Sequence, residues 1–154
     1  MISHHFVAEK FMTQATAIIV GASSHLSREL AKQLADQQVE LALFAQDVES
    51  LREFASTLPT KVQVFSLQIE QPSAIIKQLE GVWHDLGGAH LVLVNTGLNS
   101  YDPELPWLPE QDIIDVNVRG FAAICNTAFR LFREQGYGQL AAINSIAGLR
   151  GGPS

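Results

Sequence analysis

From Thr13 onward, short apolar runs alternate with longer stretches in which apolar residues return every three or four positions. Residues 15–20 form an apolar run ending at Gly21, which predicts a strand buried on both faces. Leu26, Leu30 and Leu34 recur at every fourth position of 24–37, which predicts a helix with those leucines turned inward. Residues 39–45 predict a second strand. Residues 48–58 predict a second helix with Leu51, Phe54 and Ala55 inward, closed by Pro59. A third strand is expected at 62–67, where apolar and polar residues alternate. Pro72 opens a third helix running to Asp85, with Ile75, Ile76, Leu79 and Val82 inward. Proline is tolerated there because the N–H it lacks would be unpaired in the first turn. Residues 91–94 predict a fourth strand. After a loop punctuated by Pro103, Pro106 and Pro109, one long helix is expected over 110–134, stopped by Gly136 and Gly138. A fifth strand is expected at 139–144.

Strands that alternate with helices imply βαβ units. Right-handed crossovers then lay helices on both faces of a parallel sheet. The expectation is one Rossmann-like, doubly wound α/β domain over 13–154, truncated after its fifth strand, behind an N-terminal extension at 1–12. In such sheets ligands bind beyond the carboxyl ends of the strands, where the strand order reverses. That edge receives Gly21 to Ser27, the loop after Val94 and the loop after Asn144.

Composition narrows the function. Of 154 residues, 47% are hydrophobic and 17% charged, which excludes an intrinsically disordered chain. The net charge of −6 argues against a nucleic-acid partner. The single cysteine, Cys125, excludes an internal disulfide and fits a reducing, cytoplasmic location. No apolar run approaches the roughly 20 residues of a membrane span. Residues 1–12 hold no signal-like apolar block. His4 and His5 are too few for a metal tract, and His25, His84 and His90 lack paired ligand spacing, so no metal is expected. Ser145 lacks the G-x-S-x-G elbow of a serine hydrolase.

Four segments on the predicted binding edge carry a family resemblance. They are Val20-Gly21-Ala22-Ser23-Ser24-His25-Leu26-Ser27, Val94-Asn95-Thr96-Gly97, Asp115-Val116-Asn117-Val118-Arg119-Gly120, and Ile143-Asn144-Ser145 with the residues that follow. In order and spacing they resemble the short-chain dehydrogenase/reductase family: its T-G-x-x-x-G-x-G loop, its N-N-A-G segment, and the segments carrying a catalytic Asn and a catalytic Ser. The resemblance implies NAD(P)-dependent hydride transfer between nicotinamide and a small carbonyl or alcohol substrate. It makes Ser145 the group that hydrogen-bonds the substrate oxygen and Asn117 the residue that holds a water in a proton relay. It makes Gly21, Ser23, Ser24, Leu26, Asn95 and Gly97 the cofactor-binding residues.

The same comparison exposes departures. His25 and Ser27 replace the second and third loop glycines, so a Cβ at each site is expected to crowd the cofactor, with serine hydroxyls in partial compensation. A separate expectation is that Ser23 or Ser24 caps the following helix. Ala45 and Gln46 occupy the positions where an acid would select NAD or an arginine NADP. The missing acid leans toward NADP. Asp47 is a candidate cap for the next helix. Gln68 replaces the family's Asp after the third strand.

The family's catalytic Tyr and Lys fall beyond Ser154, and Tyr101 and Tyr137 are out of register. The chain is therefore expected to be the N-terminal part of a longer enzyme and not to catalyse alone. The alternative is a non-catalytic nucleotide-binding or regulatory module with an altered glycine loop. On the long helix, Ile113, Val116, Ile124 and Leu131 form one apolar stripe, and Ile114, Phe121, Cys125, Phe129 and Phe132 another. A helix apolar on two sides is buried on two sides. One side is expected to face the sheet and the other, as the resemblance implies, a second copy in a homo-oligomer through 110–134. The fifth strand is expected to lie at an unprotected sheet edge.

Overall fold

A computed structural model describes residues 14–99, 104 and 106–145. The N-terminal extension, Tyr101, Pro103 and the residues after Ser145 lie outside the described residues. Five parallel strands form one sheet: β1 (Thr16–Val20), β2 (Glu40–Ala45), β3 (Val62–Ser66), β4 (Leu91–Val94) and β5 (Gln139–Ala142), in the order β3-β2-β1-β4-β5. Strand order runs outward from β1 to β3, then reverses to β4 on the other side of β1. The carboxyl ends of β1 and β4 flank that switch point, with Val20 paired to Val94.

Helices cover both faces, as the alternation requires. On one face α1 (His25–Asp36) and α2 (Val48–Ser56) pack over Ala17, Ile19, Leu41 and Leu43. On the other, α3 (Pro72–Asp85) and α5 (Phe121–Gln135) pack over Ile18, Val20, Phe44 and Val92. Alternate residues of β1 thus feed both cores, which is why the run carries no polar alternation. Trp83 meets Phe132 edge-on at 4.9 Å between α3 and α5.

Three expectations are corrected. Of the leucines of α1, Leu30 and Leu34 pack against the core but Leu26 does not, and none is fully buried. Leu26 is 56% exposed and Leu30 and Leu34 are half-buried, whereas Ser27, Ala31 and Ala35 are fully buried. Small side chains at this spacing let the helix axis approach the sheet, and bulky ones flank the contact.

The long helix is not one regular helix over 110–134. It starts earlier, as α4 (Trp107–Ile114), with Pro109 in its first turn, where a missing N–H is tolerated. A π-helical stretch, Asp115–Gly120, then joins α4 to α5. The Phe121 N–H reaches back to the Val116 carbonyl, five residues away, as well as to Val118.

Of the two expected stripes the first faces the core, with Val116 and Ile124 buried and Leu131 packed against them, and the second divides. Phe132 and half-buried Phe121 turn toward the core, and the outward apolar residues are Trp107, Leu108, Ile114, Val118 and Phe129. The fifth strand is the edge of the sheet among the described residues, paired on one side to β4.

Candidate functional site

Two adjoining clefts open at the switch point. The larger, about 650 Å³, is lined by Ser24, Asn95, Leu98, Asn117, Phe121 and Ser145, among others. The smaller, about 160 Å³, reaches toward the end of β2, past Gly21, Ser23, Ala45, Gln46 and Ile69. Ser24, Asn95 and Gly97 line both. The structure therefore brings Gly21, Ser23, Ser24, Asn95, Gly97, Asn117 and Ser145 to one edge. Leu26 and His25 are exposed and line neither cleft.

The turn after β1 is fixed from both sides. Gly21 has φ +88°, and a Cβ there would overlap the Asn95 carbonyl, so only glycine fits. The Gly21 and Ala22 N–H groups both donate to the Phe44 carbonyl, at 3.0 and 2.8 Å. Ser24 is the N-cap of α1: its Oγ accepts from the Ser27 N–H at 3.1 Å. The Arg28 N–H donates to the Ser24 carbonyl at 3.0 Å. A helix leaves its leading N–H groups without internal acceptors. Here those of His25 and Leu26 have no acceptor among the described residues. Two N–H groups at the positive end of a helix beside a cleft suit a phosphate.

The Ser24 and Ser27 hydroxyls are engaged with each other and with Asn95. Ser24 Oγ donates to Ser27 Oγ at 3.0 Å, and Asn95 Nδ2 donates to both, at 2.8 and 2.9 Å. Ser27 is fully buried beneath the loop and lines neither cleft. Its Cβ is accommodated in the contact between α1 and the sheet. Ser23 lines the smaller cleft, is exposed, and is the loop serine that makes no side-chain hydrogen bond among the described residues.

On the other wall, Asn117 sits in the π-helical stretch. Its Oδ1 accepts from the Leu98 N–H, and its Nδ2 donates to the Leu98 carbonyl, both at 2.7 Å. The side-chain amide is thus engaged by the loop after β4, and the Phe121 N–H bypasses the Asn117 carbonyl. Gly120 lets this stretch press against the loop after β3: a Cβ would stand 2.5 Å from the Ile69 carbonyl oxygen. The Ser145 N–H donates to Asn144 Oδ1 at 2.7 Å.

At the β2 end, Asp47 caps α2, its Oδ1 accepting from the Ser50 N–H at 3.1 Å. Gln46 Nε2 donates to Glu70 Oε1 at 3.3 Å. The Arg28 guanidinium is held by Ser50 Oγ at 2.8 Å and lies over the Phe54 ring at 5.2 Å.

Sequence reasoning missed Leu98 as the Asn117 partner, Glu70 beside Gln46, and the buried role of Ser27. The Ser24-x-x-Ser27 spacing was the available signal for the last. The other two join residues far apart in the chain, and no local pattern marks them.

No group of three or more His, Cys, Asp and Glu residues gathers to hold a metal among the described residues, and no helix there is long and apolar enough to cross a membrane.

Comparison with known proteins bears on the family and the fold. An uncharacterized oxidoreductase from Myxococcus xanthus is 31% identical over 145 residues, spanning 91% of this chain and 57% of the relative. An uncharacterized oxidoreductase from Staphylococcus epidermidis is 26% identical, spanning 88% of this chain and 60% of the relative. The chain thus spans less than two thirds of these relatives. Among solved structures, a short-chain type dehydrogenase/reductase from Mycobacterium marinum is 25% identical, with TM-score 0.81 over 95% of this chain and 62% of that one. NAD+-bound xylitol dehydrogenase shares the fold, with TM-score 0.83 at 20% identity over 92% of this chain and 57% of that one. The short chain dehydrogenase family model matches residues 15–154, and the chain belongs to that family.

Proposed function

We propose that these residues form the nucleotide-binding part of an NAD(P)-dependent oxidoreductase acting on a small carbonyl or alcohol substrate. The observation that carries this is the shared edge: the acceptor-free His25 and Leu26 N–H groups directly follow Ser24, which lines a cleft together with Asn117 and Ser145. The nicotinamide, when bound, supplies or accepts the hydride. The His25 and Leu26 N–H groups and the Ser23 hydroxyl hold the pyrophosphate, and the Asn95 to Gly97 loop borders the cofactor. Ser145 donates a hydrogen bond to the substrate oxygen. The Asn117 amide fixes the loop through Leu98, so the group this residue offers a water is its main-chain carbonyl. Titration with NADH, read by fluorescence, tests the reading: saturable binding supports it, and no binding at millimolar concentration refutes it.

Cofactor choice rests on the end of β2. Absence of an acid at Ala45 leans toward NADP, but Gln46 stands hydrogen-bonded to the Glu70 carboxylate. A 2′-phosphate there meets negative charge, while Arg28 is turned onto Ser50 and Phe54 and Arg52 is paired with Glu49 at 2.7 Å. The proposal is therefore a preference for NAD(H).

The second reading, a non-catalytic nucleotide-binding or regulatory module, is favoured by Gln68 in place of the family's Asp and by the engaged Ser24 and Ser27 hydroxyls. The outward stripe of Trp107, Ile114, Val118 and Phe129 is the surface proposed to meet a second copy. A reducing, cytoplasmic setting is proposed from the lone Cys125.

A further inference from the structure

We infer that Ser27 is a positioning residue that does the work of the glycine it replaces. Through Asn95 it aims the phosphate-binding end of α1 at the cleft. This rests on the dinucleotide-binding reading above and deepens it. A glycine at this position serves close packing of helix on strand. Here Ser27, Ala31 and Ala35 line the buried face of α1, so close packing survives the added Cβ. The hydroxyl then enters a closed set of bonds. Asn95 Nδ2 donates to Ser24 Oγ and Ser27 Oγ, Ser24 Oγ donates to Ser27 Oγ, and the Ser27 N–H donates to Ser24 Oγ, all between 2.8 and 3.1 Å.

Asn95 is itself anchored, its N–H donating to the Val20 carbonyl at 2.8 Å. The loop it begins continues to Leu98, which Asn117 holds at both backbone groups. Hydrogen bonds at Asn95 and at Leu98, joined by the short chain between them, therefore link the cap of α1 to the π-helical stretch. This link sets where the His25 and Leu26 N–H groups point. Ser27 lines neither cleft, so it acts on a phosphate through the turn and not by touching it.

The consequence runs against the family pattern. Restoring the glycine removes one acceptor of the set and loosens the turn. The test compares ADP-ribose, which carries the pyrophosphate, with adenosine, which does not, for wild type, Ser27→Gly and Asn95→Ala. Ser27→Gly loses the two bonds that Ser24 and Asn95 donate to Ser27 Oγ, and Asn95→Ala loses both of its own, which corresponds to a weakening of roughly five- to 150-fold.

The expected result is that ADP-ribose binding falls by that factor in Ser27→Gly, and at least as far in Asn95→Ala, with adenosine binding unchanged. Equal or tighter ADP-ribose binding by Ser27→Gly overturns the inference. So does an equal loss for both ligands, which marks a purely structural role. If Ser27→Gly does not fold, Asn95→Ala carries the same comparison. Wild-type protein that binds adenosine but not ADP-ribose overturns the inference and leaves an adenosine site. Wild-type protein that binds neither overturns the dinucleotide reading and this inference together.

Discussion

Asn117 and Leu98 form a two-bond ring: the Asn117 amide accepts from the Leu98 N–H and donates to the Leu98 carbonyl, each at 2.7 Å. A side-chain amide here does what a neighbouring strand would do for an isolated backbone segment. It holds the loop that forms the wall shared by both clefts. Asn117→Asp keeps the acceptor and loses the donor, and Asn117→Ala loses both. Each bond is worth about 0.5–1.5 kcal/mol, so the expected order of melting temperature is wild type, then Asp, then Ala. Thermal melts at one pH check it. An alanine variant as stable as wild type removes the ring from the account.

Two glycines of the site predict opposite outcomes. A Cβ at Gly120 would stand 2.5 Å from the Ile69 carbonyl oxygen and 3.2 Å from that of Asp115, so Gly120→Ala must displace backbone. Overpacking of this kind costs about 1–3 kcal/mol. A Cβ at Gly97 meets nothing closer than Asn117 Oδ1 at 3.7 Å, and Gly97→Ala is expected to fold with near wild-type stability. Denaturant midpoints of the two variants separate the cases.

These sites also show where the sequence was informative. Helix α3 and strand β4 were readable to the residue. Pro72 marks a first turn whose N–H is dispensable, and four consecutive apolar residues can sit only in the sheet centre. The buried face of α1 was only partly legible because leucines dominate any hydrophobic count. Its fully buried positions are Ser27, Ala31 and Ala35, whose value is their small size. The π-helical stretch ends at Gly120, which closely approaches Ile69, 51 positions away, and no local periodicity encodes such an approach. For the same reason the sequence could nominate Asn95, Asn117 and Ser24 as site residues but not show that their side chains are bound to other parts of the fold.

The end of β2 predicts cofactor preference. Glu70→Gln removes the carboxylate beside Gln46 and leaves an amide of the same shape. The wild-type protein is expected to bind NADH at least tenfold tighter than NADPH. The variant should narrow that ratio by improving NADPH binding, with little change for NADH. A ratio unmoved by the substitution separates Glu70 from selectivity.

The outward stripe predicts self-association. Phe129 is 63% exposed and Val118 58% exposed. Phe129→Glu should convert an oligomer to monomers without lowering the monomer's own stability. Light scattering coupled to size exclusion reads the change. A wild-type chain that is already monomeric at high micromolar concentration contradicts the proposed surface.

The most direct test of the central claim is a thermal melt of the purified protein with and without saturating NADH. A ligand at a hundred times its Kd adds about 2.7 kcal/mol, which for a domain of this size raises the midpoint by roughly 5–10 °C. The account predicts a cooperative melt that moves up by that order with NADH and by less with NADPH. A cooperative melt that neither nucleotide moves would contradict it, leaving a dehydrogenase fold whose cleft no longer takes the cofactor.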